Sequence, residues 1–231
     1  VAIAPEAGSE RLRGVINKNI SEEQVLNAVR ALITGGVLNV KLYFMVGLPT
    51  ETDEDVDAIV ALANKAREVQ LQAARPIGRM GMLTLSVNCF IPKPWTPLQW
   101  EPMEPVDRLL SKIRHIEKAL KGVPNISVIH DVPKWAYLQC ALSRGDRRLA
   151  KVIVSAASED GDWGRAFGEA GLGMDFFAGR RRDKDELMPW DFLDSGLDKE
   201  YLWRERERAF RASHTPRCKV GKCTLCGVCE T

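Results

Sequence analysis

The sequence predicts an α/β fold in which parallel strands alternate with helices. Residues 37–46 read VLNVKLYFMV, an almost continuous apolar run typical of a strand covered on both faces. The stretches on either side of it are amphipathic and begin with helix-capping residues. Strands and helices that alternate in this order form right-handed parallel units.

The elements of the first 130 residues are predicted from their end signals. A strand covers residues 1–4, and a helix begins after Ser21, because the sequence Ser-Glu-Glu-Gln forms a capping box. Gly35 and Gly36 end that helix just before the strand at 37–46. The later predicted elements are a helix from Thr52, a strand at 83–91, a helix at 105–121 and a strand at 126–129.

Beyond residue 130 the predicted helices become short and the connections irregular. Residues 135–143, 146–158 and 162–170 have helical patterns, 171–196 is rich in Gly, aromatic and charged residues, and 199–211 is a charged helix. We therefore expect three regions. They are an α/β region at 1–130, a mostly helical region at 131–212 and a Cys-rich tail at 213–231.

Composition excludes little and favours a soluble cytoplasmic protein. Lys plus Arg number 33 and Asp plus Glu number 31, so a net charge of +2 gives no field that would draw nucleic acid or a membrane. The sequence has no apolar run of the roughly 18 to 20 residues that span a bilayer. It begins VAIAPEAGSE, without Met and as though within a strand, so we expect a fragment.

Three loops follow predicted strands, at the strand ends where α/β folds place their chemistry. The carboxylate of Glu6 could accept hydrogen bonds from ligand hydroxyls, and Gly47 would let the backbone approach a flat ligand such as a purine. Each also has an ordinary interpretation, as a solvated loop residue and as a strand-to-helix turn. The loops are Pro5-Glu6-Ala7-Gly8-Ser9, Gly47-Leu48-Pro49-Thr50-Glu51-Thr52 and residues 89–97.

The combined pattern of the first two loops is more specific. The run PEAGSERLRGVINKN, then about twenty helical residues, then KLYFMVGLPTET resembles the second half of the radical S-adenosylmethionine (SAM) superfamily core. Ala7, Leu48 and Thr50 depart mildly from the family's usual Ser, Phe and Gly. The resemblance covers about residues 1–100. It implies that region 1–130 is the C-terminal half of a partial (β/α)6 TIM-like barrel, with the last three strands.

The resemblance also implies a SAM site. In such barrels the residue matching Glu6 usually binds the ribose, and the basic residue matching Lys18 faces the methionine carboxylate. Backbone near Val46 and Gly47 lines the adenine. A solvated lysine remains an equal interpretation of Lys18.

The stretch NCFIPKPWTP at residues 88–97 resembles the sixth strand and exit loop of a subgroup that often carries an upstream cobalamin-binding domain. In that subgroup His usually follows Pro-Lys-Pro, where this chain has Trp95. Lys93 and Trp95 are therefore predicted on the substrate side. Lys93 would meet an anionic substrate or serve a structural role.

The superfamily's C-x3-C-x2-C motif, which holds the radical-generating 4Fe-4S cluster, is not in this sequence. We therefore expect the cluster and the N-terminal half of the barrel to lie upstream, so that the fragment is not catalytic alone. The resemblance implies that the full-length protein cleaves SAM reductively, or transfers a methyl or alkyl group with cobalamin. Its electrons would come from a reductant such as ferredoxin or flavodoxin, and its substrate is not specified.

The tail CKVGKCTLCGVCE predicts a second metal site. Its ligands are Cys218, Cys223, Cys226 and Cys229, and the spacing C-x4-C-x2-C-x2-C contains runs found in ferredoxins. Four thiolates suit zinc as well, although structural zinc sites more often combine two separated pairs, so an iron–sulfur cluster is favoured. The run Arg180-Arg181-Arg182 is interpreted as a solvated loop, with contact to RNA phosphates as the alternative.

A function of another class also fits the tail. The α/β region would then be a scaffold, and the tail a zinc knuckle that binds RNA or protein without catalysis. A third hypothesis keeps the enzyme and lets a tail cluster relay electrons to the upstream one.

Overall fold

A computed structural model describes residues 1–158 and 160–229. Its contacts divide the chain into two compact units. Unit 1 comprises residues 1–90, 107–132 and 207–216, and unit 2 comprises 91–106, 133–206 and 217–231. The three regions expected from the sequence stay a prediction, and the division by contacts differs from them in where 91–106 and 207–216 fall.

Unit 1 is built on a four-stranded parallel sheet in the order β1-β2-β3-β4. The predicted α/β class is thereby confirmed, and the sheet is consistent with part of a TIM-like barrel. Three of its strands belong to the predicted half-barrel, and β4 adds a fourth at the sheet edge. The strands are β1 (Ala2–Glu6), β2 (Val40–Val46), β3 (Leu83–Cys89) and β4 (Ile126–His130).

The central strand β2 differs from the expectation of two fully covered faces. Val40, Leu42, Phe44 and Val46 are buried, whereas the residues between them are only half-buried. The predicted strand at 83–91 ends at Cys89. The N–H of Phe90 still donates to Val46 O at 2.9 Å, but prolines then follow, and they have no N–H to continue the ladder.

The first long helix shows why its limits were predictable. Ser21 accepts a hydrogen bond from the Gln24 N–H, and the Gln24 side chain accepts one from the Ser21 N–H, which completes the predicted capping box. At the other end, Gly36 has a φ of 89°, and the Val37 N–H donates to Leu32 O at 2.9 Å. This cap keeps residue 37 out of β2. The helices that contribute to unit 1 are α1 (Glu10–Val15), α2 (Glu22–Thr34), α3 (Asp53–Ala74) and α4 (Val106–Leu120).

Unit 2 is mostly helical, as expected for the region after residue 130. One of its apolar clusters joins Trp100, Met188, Trp190 and Leu202. One of its helices is only five residues long and lies within residues 171–196, which were predicted to be irregular. They are α5 (Pro133–Arg144), α6 (Leu149–Ser158), α7 (Trp163–Glu169), α8 (Met174–Ala178) and, up to residue 206, α9 (Lys199–Phe210). Within the described ranges, no helix has both the length and the apolar character needed to span a bilayer.

Candidate SAM-binding and metal sites

Two residues predicted to contact SAM lie at the C-terminal ends of adjacent parallel strands. Glu6 is the last residue of β1, and Gly47 directly follows β2. The pairing of β1 with β2 shifts register between Ile3 and Glu6, and such bulges redirect a side chain at a strand end. Glu6 has a φ of 68°, a left-handed conformation that is uncommon for a residue with a side chain. Strained backbone of this kind clusters at functional sites.

Lys18 lies beside Glu6. Its Nζ is 3.8 Å from Glu6 Oε1, and the two side chains are 37% and 27% exposed. This places a cation and a carboxylate together at the end of β1, still open to solvent. A ligand with hydroxyl groups and a carboxylate could therefore contact both.

Arg13 is a residue of this site that the sequence interpretation missed. It is buried, and its Nη1 donates to Ala7 O at 2.9 Å and to Gly8 O at 3.0 Å. Its Nε donates to Ile20 O at 2.9 Å. Burial lowers the pKa of Arg13, and Glu10 and Glu22 partly offset that effect. One buried guanidinium thus ties the loop that follows Glu6 to the segment that carries Lys18.

The loop after β1 is also fixed to α3. A Cβ on Gly8 would lie 2.2 Å from Ile59 N, so only glycine fits this close approach. Ser9 Oγ donates to Asp55 Oδ1 at 2.5 Å, and Arg11 forms an ion pair with the same carboxylate. Burial raises the pKa of Asp55, but hydrogen bonds from Ser9, Arg11 and the Thr52 N–H outweigh burial and leave it below its usual value.

The turn after β2 is held by a buried ion pair. Glu51 Oε2 accepts the Gly47 N–H at 2.8 Å and the ammonium of Lys112 at 2.7 Å. The side chains of Glu51 and Lys112 are 1% and 9% exposed. Gly47 itself has a φ of 84°, which favours glycine. Nothing in the sequence indicates a role for Lys112, because it reaches Glu51 from α4.

A comparison with known protein families finds a match that covers the first part of the chain. The family model described as Radical SAM superfamily matches residues 1–63, which include Glu6, Lys18 and Gly47. The chain matches the radical SAM superfamily over this segment. The resemblance inferred from the sequence is therefore confirmed.

One curated relative is an uncharacterized protein of Methanocaldococcus jannaschii. It is 41% identical over 153 residues, and the match covers 66% of this chain and 32% of the relative. The chain thus spans about a third of the length of the curated relative that it matches. No solved structure matches the chain.

The two residues predicted on the substrate side lie in unit 2. Lys93 is half-buried, and its carbonyl accepts the Thr96 hydroxyl at 2.7 Å. Trp95 has a φ of 56°, its N–H donates to Gln99 Oε1 at 3.1 Å, and its ring packs on the cluster that contains Trp100 and Trp190. The contacts of Trp95 are thus those of a core residue, and a substrate contact for Lys93 and Trp95 stays a prediction.

The four tail cysteines lie near one another in a series of turns of unit 2. Cys218 is exposed and Cys223, Cys226 and Cys229 are half-buried. Desolvation, followed by the proximity of these three thiols, raises the pKa of Cys218. Within residues 1–158 and 160–229, no three His, Cys, Asp or Glu side chains are close enough together to hold a metal ion. The donor chemistry therefore fits a metal, but the thiols are not arranged at ligand distances.

Two features of the tail bring its thiols into one region. Gly221 and Gly227 have φ values of 74° and 84°, as expected for glycines that wrap a compact loop. The Asp198 N–H donates to Cys226 O at 2.8 Å, and Arg204 donates to Leu225 O at 3.2 Å, so the start of α9 anchors the loop. The metal assignment stays a prediction.

Proposed function

We propose that this chain is part of a radical SAM enzyme and that unit 1 binds SAM. The observation that carries the proposal is the position of Glu6 and Gly47 at adjacent strand ends, with Lys18 beside Glu6. The match of residues 1–63 to the superfamily supports it. The C-x3-C-x2-C motif does not occur in these 231 residues, so in this proposal the radical-generating cluster would be held by other residues of a full-length protein.

In this proposal each residue has a separate role. Glu6 accepts hydrogen bonds from the ribose hydroxyls, and Lys18 pairs with the methionine carboxylate. The Gly47 N–H and Val46 O already have partners, so the adenine packs on the backbone surface at Gly47 rather than bonding to those two atoms. A bound 4Fe-4S cluster would supply the electron that breaks a carbon–sulfur bond of SAM.

Further features of the proposal rest on the resemblance alone. The electron donor would be a ferredoxin or flavodoxin in the cytoplasm, and cobalamin would serve if the reaction is methyl or alkyl transfer. Lys93 and Trp95 would face the substrate. The resemblance of the exit loop at residues 88–97 supports the cobalamin assignment.

Equilibrium binding of S-adenosylhomocysteine to the 231-residue chain tests the SAM site without a cluster. We expect the variants Glu6→Gln and Lys18→Met each to weaken binding by about tenfold or more, because a charge-assisted hydrogen bond contributes about 1.5–3 kcal/mol. Glu23→Gln, at an exposed position of α2, is the matched control and should bind as the wild type does. If neither site variant differs from this control, the SAM assignment is wrong.

We further propose that Cys218, Cys223, Cys226 and Cys229 hold a second iron–sulfur cluster. The four donors within one loop support this assignment, and zinc is the alternative. Anaerobic purification followed by metal and sulfide analysis distinguishes the two, since iron with sulfide supports a cluster and zinc supports a knuckle that binds RNA or protein. In the first case, comparing the electron paramagnetic resonance of the wild type with that of Cys226→Ala tests an electron relay.

A further inference from the structure

Two arginines are buried next to each other in unit 2. Arg144, the last residue of α5, is 0% exposed, and Arg182 is 3% exposed. The Arg182 Nη2 donates to Arg144 O at 2.8 Å, and its backbone N–H donates to Trp100 O at 2.8 Å. The expectation that the run 180–182 is a solvated loop is therefore wrong for Arg182. The sequence could not indicate this, because the burial comes from packing against α5 and residue 100.

Half of the guanidinium nitrogens of this pair have no hydrogen-bond partner within the described residues. They are Arg144 Nε, Arg144 Nη2 and Arg182 Nε. Arg144 Nη1 donates to Glu101 O at 2.5 Å, and Arg182 Nη1 lies 3.7 Å from the weak acceptor Sδ of Met188 and 3.5 Å from Glu186 Oε1. Buried charged donors are normally satisfied, because a buried charged group that lacks hydrogen bonds is strongly disfavoured.

The nearest carboxylates are used by other arginines. Glu101 pairs through one oxygen with Arg206 at 2.5 Å and through the other with Arg181 at 3.0 Å. Glu186 lies 3.5 Å from Arg182, but both of its oxygens accept hydrogen bonds from Arg180 at 2.5 and 2.8 Å. The described side chains around Arg144 and Arg182 therefore leave a surplus of positive charge.

The electrostatics of the neighbouring groups agree with this surplus. Burial, followed by the charges of Arg144 and Arg180, lowers the pKa of Arg182 to about 10 against the opposing effect of Glu186, as expected when cations are crowded together. Cys140, one turn earlier on α5, does not compensate. Burial raises the pKa of its thiol more than the charge of Arg144, a hydrogen bond with Arg144 and the charge of Lys93 lower it, so it stays neutral.

We propose that Arg144 and Arg182 form a recessed binding site for the phosphate group of a small molecule. Two guanidinium charges match a phosphate dianion better than they match a carboxylate, and the unpartnered donors supply the hydrogen bonds that phosphate oxygens accept. A polymer backbone fits less well, because its phosphodiesters are monoanionic and the site is covered. This inference stands apart from SAM binding, since it uses residues of unit 2 only.

Thermal unfolding in inorganic phosphate tests the site on the whole chain. Phosphate at ten times its Kd should raise the Tm by about 3–6 °C relative to chloride of equal ionic strength. Arg182→Met and Arg144→Met should lose this shift. Arg147→Gln, on the exposed surface close to Arg144 in sequence, should keep it.

Two further arms keep the test decisive if a Met variant does not fold. Arg144→Lys and Arg182→Lys preserve the charge but not the fork of donors, so we expect the phosphate shift to fall by at least half. Glycerol 1-phosphate and dimethyl phosphate separate a monoester from a diester, and we expect stabilisation by the monoester only. The proposal is overturned if phosphate and its monoester do not stabilise the wild type, if dimethyl phosphate stabilises it equally, or if Arg147→Gln loses the shift together with the site variants.

Discussion

Replacing Gly8 with alanine should disrupt the loop that carries Glu6. The added Cβ would lie 2.2 Å from Ile59 N and 2.5 Å from Ala58 C, where ordinary contacts are 3.4–4 Å. Both of these atoms belong to the backbone of α3, so no side-chain rotation can relieve the clash. Gly8 is not among the glycines with positive φ, and the cost is therefore steric rather than conformational.

The size of the effect follows from the displacement that is needed. The loop or α3 must move by about 1 Å, and overpacking in a well-packed region costs about 1–3 kcal/mol. Because no side chain can move to relieve the clash, we expect Gly8→Ala to lower the free energy of unfolding by about 3 kcal/mol. The same shift would lengthen the 3.0 Å bond from Arg13 to Gly8 O beyond hydrogen-bond range, so binding of S-adenosylhomocysteine should weaken as well.

Urea unfolding followed by far-ultraviolet circular dichroism measures this change. All six tryptophans lie in unit 2, so their fluorescence follows that unit alone, while circular dichroism follows both. Gly168→Ala is the matched control, since nothing lies within 4 Å of its Cβ position in α7. It should stabilise the protein by about 0.5–1 kcal/mol. Equal unfolding midpoints for Gly8→Ala and wild type would refute the steric reasoning.

Two further substitutions test the polar groups that hold these loops. The pKa of Asp55 is lower in the folded than in the unfolded protein, so the ionised carboxylate stabilises the fold above about pH 4, and this stabilisation is lost as the pH falls through the folded pKa. The free energy of unfolding of Asp55→Asn should therefore fall less than that of wild type between about pH 5 and 3. Urea midpoints that fall in parallel for the two proteins would contradict this. Lys112→Met removes one partner of the buried ion pair with Glu51 and should lower the free energy of unfolding by about 3 kcal/mol at pH 7. Adding Glu51→Gln to Lys112→Met should recover part of that loss. If the double variant instead loses as much stability as the two single variants added together, the two residues are not directly coupled.

The sequence predicted those features of unit 1 that depend on neighbouring residues. The capping box at Ser21 and the glycine cap at Gly36 involve groups within a few positions of one another, and both are present. The parallel sheet followed from the alternation of strands and helices. The position of Glu6 and Gly47 at strand ends was predictable because strand ends are readable from apolar runs.

The missed parts of the site depend on contacts between distant segments. Lys112 reaches Glu51 across 61 positions, and Ser9 reaches Asp55 across 46. Lysine and arginine are usually exposed, so nothing in composition distinguishes Lys112, Arg13 or Arg182 from surface residues. Their burial follows from how helices pack on the sheet and on one another, which a single sequence does not encode locally.

The Cys-rich tail has a different reason for being only partly predictable. Its sequence supplies four thiols, and Gly221 and Gly227 adopt the positive φ values that bring them into one loop. Ligand distances, however, are imposed by the metal, because binding energy offsets the cost of ordering a segment with few apolar contacts. Under the proposed metal assignment, the loop anchored by Asp198 and Arg204 would rearrange when a metal binds, so that the thiols reach ligand distances. Metal loading should then protect the amides of residues 218–229 from hydrogen exchange while leaving those of β2 unchanged.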